Sequence, residues 1–249
     1  MLFRFCPCCD DTDILPLPET SRQLLSRMSD VDNSLITIYD RHRDEYTFRS
    51  PRFKELLDIT AVKKNEKRDT IDFHTLIHPD DRKFVLDTET KTYRFWQKLP
   101  PEEQKNYKLV CDFRMKIPDG HYSRFIHQVV VLASDPEGEI RQLLVVSDLL
   151  AKKVSHCIPQ RHLIHIKTEK LYLFNHESGE KLIRLLTQSE KRVLTHIAHG
   201  MNSQEIADHC CIGLCTVNGH RSNILRKIRA GNSYQAVMYA KCLGIIPLY

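Results

Sequence analysis

Polar and basic side chains recur between Leu214 and Arg229 at the spacing of one helix face. Guanidinium and ammonium groups neutralise phosphates, and the carboxamide of Asn218 can form paired hydrogen bonds with N6 and N7 of adenine. Gly219 has no side chain, so a helix could lie deeper in a groove there. These residue types predict a nucleic-acid contact surface. Its candidate residues are Thr216, Asn218, Gly219, Arg221, Ser222, Arg226, Lys227 and Arg229.

Four helices with recognisable start and stop signals are predicted around that surface. Thr187 and Glu190 fit a capping box, and Gly200 tolerates the positive φ that ends a helix. A short helix, a tight turn and a longer helix with a polar outer face form the helix-turn-helix layout, and the longer helix can enter the major groove. The predicted helices lie between Thr187 and Gly200, over Ser203–Cys210, over Leu214–Arg229 and from Ser233 to Leu243.

The predicted fourth helix also offers a candidate contact surface. Its apolar residues Val237, Tyr239, Ala240 and Leu243 stand among small residues, and we expect them to be exposed. Helix-turn-helix proteins usually bind paired half-sites as dimers. The sequence therefore predicts a homodimer on double-stranded DNA, to which the N-terminal part of the chain contributes.

The ordered residues from Leu186 to Ile246 resemble the LuxR/GerE-type helix-turn-helix of bacterial transcription regulators. The resemblance implies a DNA-binding regulator whose third helix reads the operator. The family usually has Arg where this chain has Ser189, Ser where it has Gly213, and often Lys where it has Asn218. Other base preferences are therefore expected here. The matching residues are Leu186-Thr187, Glu190, Val193-Leu194, Ile197-Ala198, Gly200, Glu205-Ile206-Ala207, Ile212, Thr216-Val217, His220, Asn223-Ile224-Leu225, Ala236-Val237 and Gly244-Ile245-Ile246.

Charge is unevenly distributed along the 249 residues. The chain has 37 Lys and Arg against 32 Asp and Glu. Residues 1–149 carry 23 basic and 26 acidic side chains, whereas residues 150–186 and 187–249 each carry seven basic and three acidic ones. The basic excess in the last two segments suits contact with phosphates.

The first two-thirds of the chain alternate strand and helix signals in a fixed order. Two strands precede short helices, a long helix and a meander of three longer strands. This order is similar to the PAS fold, and Leu76–Asp81 with the Asp119-Gly120 turn looks like its PAS-3 variety. The resemblance implies a sensor or dimerisation module, which in some relatives holds haem, flavin or a small organic ligand. The Asn-Cys-Arg-Phe-Leu signature of covalent flavin photosensors is absent from the sequence. Predicted elements are helices at Thr20–Met28, Arg52–Leu57 and from Pro79 to Leu99, and strands at Leu35–Tyr39, Tyr46–Arg49, Tyr107–Ile117, Tyr122–Ser134 and Ile140–Leu149.

Histidines and apolar residues in this region allow two interpretations each. His78, Asp80 and Asp81 could ligate a metal, but helix-start chemistry is favoured. His74 or His78 could ligate haem, but surface or capping roles are favoured. An apolar set predicted as core could also line a ligand pocket. That set is Phe48, Phe53, Leu56, Phe73, Leu76, Phe84, Val110, Phe113, Phe125 and Val129.

The nine cysteines do not have the spacing of a disulfide framework or a structural zinc site, because no Cys-x-x-Cys pair occurs. Reduced thiols in a cytosolic protein are favoured, and metal or redox chemistry at Cys6, Cys8 and Cys9 is the alternative. No apolar run approaches the roughly 20 residues of a membrane helix, and the first residues lack a signal-peptide core.

Together these patterns predict an α+β protein in which a PAS-like antiparallel sheet with helices precedes an all-α, four-helix domain of the LuxR type. The expected function is cytoplasmic bacterial transcription regulation, and the cofactor stays open. We expect no catalytic site, because no nucleophile–base set, Gly-rich phosphate loop or HExxH motif appears. Alternatives are an interaction protein whose helix-turn-helix serves dimerisation, and a sigma-factor-like fragment. The predicted parts are an N-terminal extension with a helix (1–33), the PAS-like domain (34–149), a basic connector with two short strands (150–186) and the DNA-binding domain (187–249).

Overall fold

A computed structural model describes residues 18–32, 34–57, 73–151, 159–168, 170–172 and 186–246. The chain divides into two compact units, residues 1–163 and 164–249, with the division inside the sixth strand. Cys6, Cys8 and Cys9 lie outside the described residues. The four-part domain division stays a prediction.

The helices and strands follow the predicted order. Ends differ from the prediction by a few residues, as is usual at frayed termini. The helices are α1 (Glu19–Asp32), α2 (Phe53–Leu56), α3 (Pro79–Gln97), α4 (Pro101–Gln104), α5 (Gln188–Ala198), α6 (Ser203–Cys210), α7 (Leu214–Ile228) and α8 (Ser233–Cys242), with a 3-10 turn at Phe73–Thr75. The strands are β1 (Leu35–Asp40), β2 (Glu45–Arg49), β3 (Tyr107–Lys116), β4 (Tyr122–Ser134), β5 (Ile140–Ala151), β6 (Arg161–His165) and β7 (Lys170–Tyr172).

The strands form one sheet in the order β2-β1-β5-β4-β3-β6-β7. The β1–β2, β1–β5, β4–β5 and β3–β4 pairs are antiparallel. Every residue of β1 is buried, because both faces of this strand are covered. On one face Leu25 of α1 packs against Ile36 and Ile38. The predicted α+β class and PAS-like strand order are confirmed.

The other face of the sheet carries alternate residues such as Phe113, Phe125, His127 and Val129, all buried. The predicted apolar set serves partly as core and partly as lining. Phe125 and Val129 are fully buried, whereas Phe53, Phe73 and Phe113 line a cavity.

The start of α3 shows the predicted helix-start chemistry. The Nδ1 atom of His78 accepts a hydrogen bond from the backbone N–H of Asp80 at 3.3 Å. Asp81 is buried, and its Oδ1 atom accepts a hydrogen bond from Nη2 of Arg114 at 2.6 Å. This ion pair links α3 to β3. Although burial alone would raise the pKa of Asp81, its hydrogen bonds with Arg114 hold that pKa below the usual value. Among the described residues no group of three or more His, Cys, Asp or Glu could hold a metal.

The C-terminal unit corrects the predicted role of the fourth helix. Tyr239, Ala240 and Leu243 are 2%, 0% and 3% exposed, and Val237 is half-buried, so the expectation of an exposed apolar surface is wrong. Helical spacing places these residues on the stripe of α8 that packs toward α5 and α7. They form core, and any dimer contact must use another surface.

Candidate nucleic-acid interface

The turn between α6 and α7 is held by backbone geometry. Cys211 ends α6 in the left-handed conformation, with φ 53°, and Ile212 N–H bonds to the carbonyl of Ala207 at 3.0 Å. Gly213 caps α7 without a side-chain hydrogen bond, as its lack of a hydroxyl predicts. These bonds set the direction in which α7 leaves the turn.

Both helices that precede α7 begin with a capping box. Thr187 and Glu190 form the predicted one, with Thr187 N–H donating to Glu190 Oε2 at 2.7 Å. Asn202 and Glu205 form a second, with Asn202 N–H donating to Glu205 Oε2 at 2.7 Å. The second box was missed, although Asn followed three residues later by Glu is its sequence signal.

Helix α7 has one buried face and one exposed face. Val217, Ile224 and Ile228 are at most 1% exposed and anchor it in the unit. The exposed residues include five of the predicted contact residues and two, Leu214 and Cys215, that were not predicted. The exposed set is Leu214, Cys215, Thr216, Asn218, Gly219, Ser222 and Arg226.

Gly219 lies on this outer face with free space around it. A Cβ atom added there would meet nothing within 4 Å. A larger side chain can therefore be placed at this position without disturbing the packing of the domain.

Arg221 is half-buried and binds two other helices. Its guanidinium donates to Ser203 Oγ at 3.2 Å and to Ser233 Oγ at 3.1 Å. Both serines open a helix directly after an Asn cap, Asn202 and Asn232. Arg221 therefore fixes α7 against the starts of α6 and α8, a contact that sequence spacing did not predict.

Lys227 forms an ion pair inside the domain. Its Nζ atom lies 2.7 Å from Oε2 of Glu190, whose side chain is 4% exposed. Burial alone would raise the pKa of Glu190, but hydrogen bonds from Lys227 and from the Thr187 backbone hold it below the usual value. The charge of Lys227 is thus largely compensated, and this residue links α7 to α5.

Arg226 and Arg229 are the exposed cations at the end of α7. One Nη atom of Arg226 donates to Asn223 Oδ1 at 3.1 Å, which uses one of the five N–H donors of a guanidinium. Arg229 was predicted inside the helix, but α7 ends at Ile228 and Arg229 adopts φ 55° as its left-handed cap.

Comparison with known proteins supports the same assignment of this region. Residues 184–240 match the sequence family described as bacterial regulatory proteins of the luxR family. The C-terminal region is a LuxR-type helix-turn-helix domain. The chain is 35% identical over 88 residues to an uncharacterized transcriptional regulatory protein, YhcZ, of Bacillus subtilis, covering 35% of this chain and 38% of that protein. It is 43% identical over 60 residues to the response regulator VraR of Staphylococcus aureus, covering 24% and 29%.

The match thus spans about a third of the length of these relatives, which are transcription regulators. Two solved structures align with this chain at low similarity. A Vibrio cholerae VqmA dimer covers 92% of this chain and 88% of its own, at 18% identity and a TM-score of 0.33. The N-terminal PAS/PAC domain of a Marinobacter aquaeolei diguanylate cyclase covers 47% and 95%, at 17% identity and 0.34.

Among the helices of the described residues, none is both long and apolar enough to cross a bilayer.

Proposed function

We propose that this protein is a DNA-binding transcription regulator of bacterial type, in which α7 enters the major groove of operator DNA. The single observation that supports this proposal most is the outward face of α7. Cys215, Asn218, Ser222 and Arg226 follow one another at three or four residues and are all exposed. The 15 residues of α7 make a helix about 22 Å long. The major groove of B-DNA is wide enough to admit an α-helix.

The position of each side chain along α7 suggests its role. Asn218 and Ser222 lie in the N-terminal half of the helix, which meets base edges in helix-turn-helix complexes. Arg226 and Arg229 lie at the other end and would neutralise phosphates. Arg221 and Lys227 are bonded within the domain, so their main proposed role is to hold α7 in the orientation that the other residues need.

The PAS-like part is proposed to sense a signal or to mediate dimerisation. For dimerisation, α1 offers an exposed apolar stripe. Leu24, Met28 and Val31 are 61%, 47% and 80% exposed and follow one another at helical spacing, whereas the candidate surface on α8 is buried. We propose a homodimer in which this stripe of α1 takes part.

The dimer is tested by sedimentation of the whole chain. Met28→Glu places a negative charge in the stripe and should shift the protein toward monomer. The reason is that dimerisation would bury this carboxylate without a positively charged partner. Gln23→Glu adds the same charge on the same helix, next to the stripe, and should leave the mass unchanged. If the wild-type complex at saturation contains one protein chain per operator, the proposed homodimer is wrong.

The DNA-reading role is tested by selecting bound sequences from a random pool with the whole chain. Asn218→Ala should cost about 1–3 kcal/mol at one base position. Gly219→Lys should fold, since that position has free space, but change or abolish operator choice. Gln188→Lys, which adds the same charge on an exposed position of α5, serves as the control.

If wild type and Gly219→Lys recover the same motif with the same base weights, the DNA-reading role of this face is wrong. In that case the outer face of α7 is only a solvated surface, and the interaction-protein alternative becomes the better account.

A further inference from the structure

Cys215 lies at the start of the outer face of α7 and points away from the core of the domain. At about 100° per residue, it is on the opposite side of the helix from Ile224, which is 1% exposed. Its own side chain is exposed. It belongs to the N-terminal half of the helix, which meets base edges when a helix-turn-helix protein binds DNA. Cys215 is therefore placed to touch bases, although it was not predicted as a contact residue.

Gly219, one turn further along α7, leaves Cys215 uncovered. Side chains in a helix lean toward its N-terminus, so a side chain at position 219 would lie over position 215. A Cβ atom added to Gly219 would meet nothing within 4 Å, and this glycine is not among those with positive φ. Glycine inside a helix is destabilising relative to alanine, and neither a close neighbour nor the backbone conformation requires it here. Close approach of a ligand to the helix would explain it.

The notch bordered by the sulfur of Cys215 and the bare backbone of Gly219 is apolar. A free cysteine behaves as a small hydrophobic residue, and its S–H group is only a weak hydrogen-bond donor. The preceding residue, Leu214, is 41% exposed and adds a second apolar side chain at this end of α7. In the major groove, base edges present hydrogen-bond donors and acceptors and one apolar group, the C5-methyl group of thymine. That methyl group is the feature of the groove that suits the notch.

We propose that this notch receives the C5-methyl group of a thymine, which makes Cys215 a specificity-determining residue. Asn218 lies beside the notch on the same exposed face and would pair with a neighbouring adenine. The contact selects thymine by its methyl group, independently of its hydrogen bonds. This inference rests on the DNA-reading role within the proposed function and names one base feature that this role recognises.

The test uses the whole chain and the operator recovered by selection from the random pool. Each thymine of that operator is replaced in turn by deoxyuridine, which removes the methyl group and keeps every hydrogen-bonding group. Fluorescence anisotropy at one salt concentration measures the affinity. At one or more thymine positions, wild type should lose affinity by about fourfold, the effect of one buried methyl group.

Cytosine methylated at C5 carries a methyl group at the same place on the ring. Operators with cytosine or 5-methylcytosine at the sensitive position are therefore compared as well. Equal affinities for these two operators assign the notch to thymine alone. A gain of about fourfold with 5-methylcytosine shows that the methyl group is read from either base.

Three variants locate the effect. Cys215→Ser places a hydroxyl group where the methyl group would cover it, and should abolish the preference for thymine over deoxyuridine. Gly219→Ala fills the notch with a methyl group of its own and should also abolish it, while helix propensity keeps the domain folded. Cys211→Ser makes the same exchange of sulfur for oxygen at an exposed cysteine of the preceding turn and should keep the preference.

The proposal is overturned if no thymine position depends on its methyl group or if the selected motif contains no thymine. It is also overturned if Cys215→Ser or Gly219→Ala keeps the full preference. In these cases the DNA-reading role still stands, provided that wild type selects a defined motif that Asn218→Ala changes. If wild type selects no motif, the DNA-reading role itself is wrong, and the methyl contact is wrong with it.

Discussion

The two units of this protein place their charged groups differently. In the N-terminal unit, buried carboxylates are paired with cations, as Asp112 with Arg124 and Asp81 with Arg114. In the C-terminal unit, Arg226 is exposed on the outer face of α7, and the internal pair of Lys227 with Glu190 sits behind that face. The first arrangement compensates buried charges inside the unit, whereas the second leaves a cation exposed on the outer face of a helix.

The largest expected effect comes from breaking a buried pair in the N-terminal unit. Asp112→Ala leaves the guanidinium of Arg124 buried without its carboxylate and removes the acceptor for the backbone N–H of Gln160. We expect a loss of about 3–5 kcal/mol in the free energy of unfolding. Urea unfolding followed by Trp96 fluorescence measures it.

The control for that variant is Glu137→Ala, which removes an exposed carboxylate and should stay within about 0.5 kcal/mol of wild type. If Asp112→Ala costs less than about 1 kcal/mol, the buried pairs do not define the N-terminal unit as the comparison claims.

The neutral His127 predicts a pH-dependent effect of intermediate size. Burial lowers its folded pKa to about 3, below the unfolded value near 6.5, so between these values only the unfolded state binds the proton. Stability is therefore lost as pH falls through this window. Relative to His127→Phe, wild type should lose about 1.4 kcal/mol of unfolding free energy per pH unit from pH 6 to pH 4.

The difference between wild type and His127→Phe should be independent of pH above about 7, where both states carry a neutral ring. His121→Phe provides the baseline for an exposed histidine. A difference that stays constant from pH 6 to pH 4 would show that His127 titrates normally, and the interior of the N-terminal unit would no longer contrast with the charged surface of the other unit.

A smaller loss is expected when the internal pair of the C-terminal unit loses its charge. Glu190→Gln can still accept the cap bond from Thr187 but no longer compensates Lys227, which should cost about 1 kcal/mol. Hydrogen exchange of the α5 and α7 amides measures this loss. Glu205→Gln changes a capping box whose Glu has no such pair among the described residues, and equal effects of the two variants would argue against a stabilising Lys227–Glu190 contact.

The smallest effect on stability, but a clear one on binding, is expected from Arg226→Ala. This exposed side chain should contribute to phosphate neutralisation on every sequence. We expect weaker binding to all DNA and a plot of log affinity against log salt that is shallower by about one unit. Fluorescence anisotropy with a selected operator measures the slope, and Arg192→Ala on α5 is the matched control. An unchanged slope for Arg226→Ala would exclude this contact.

The sequence was most informative where structure depends on neighbours along the chain. The Thr187–Glu190 capping box and the stop at Gly200 were both predicted, because capping signals are local properties. The same holds for the order of helices and strands along the PAS-like part of the chain, since alternating apolar residues and turn residues mark each strand.

Predictions failed or stayed open where packing between distant segments decides. Which face of α8 is covered depends on α5 and α7, so the sequence suggested an exposed Tyr239 that is in fact core. From the sequence, Lys227 was predicted as one more DNA-contacting cation of α7. The structure shows that it pairs with Glu190, 37 residues earlier. In the same way, whether the apolar residues of the PAS-like part form core or cavity was undecidable from composition.

The sequence by itself thus determined the local elements, the basic C-terminal region and the type of its DNA-binding domain. Only the tertiary structure decided which cations remain at the surface. It also decided that His127 Nδ1 pairs with Ser147 Oγ on the neighbouring strand, while Nε2 has no hydrogen-bond partner among the described residues. The physical reason is that a side chain's charge and hydrogen bonds depend on its neighbours in space. Folding brings those neighbours together from positions that no sequence period connects.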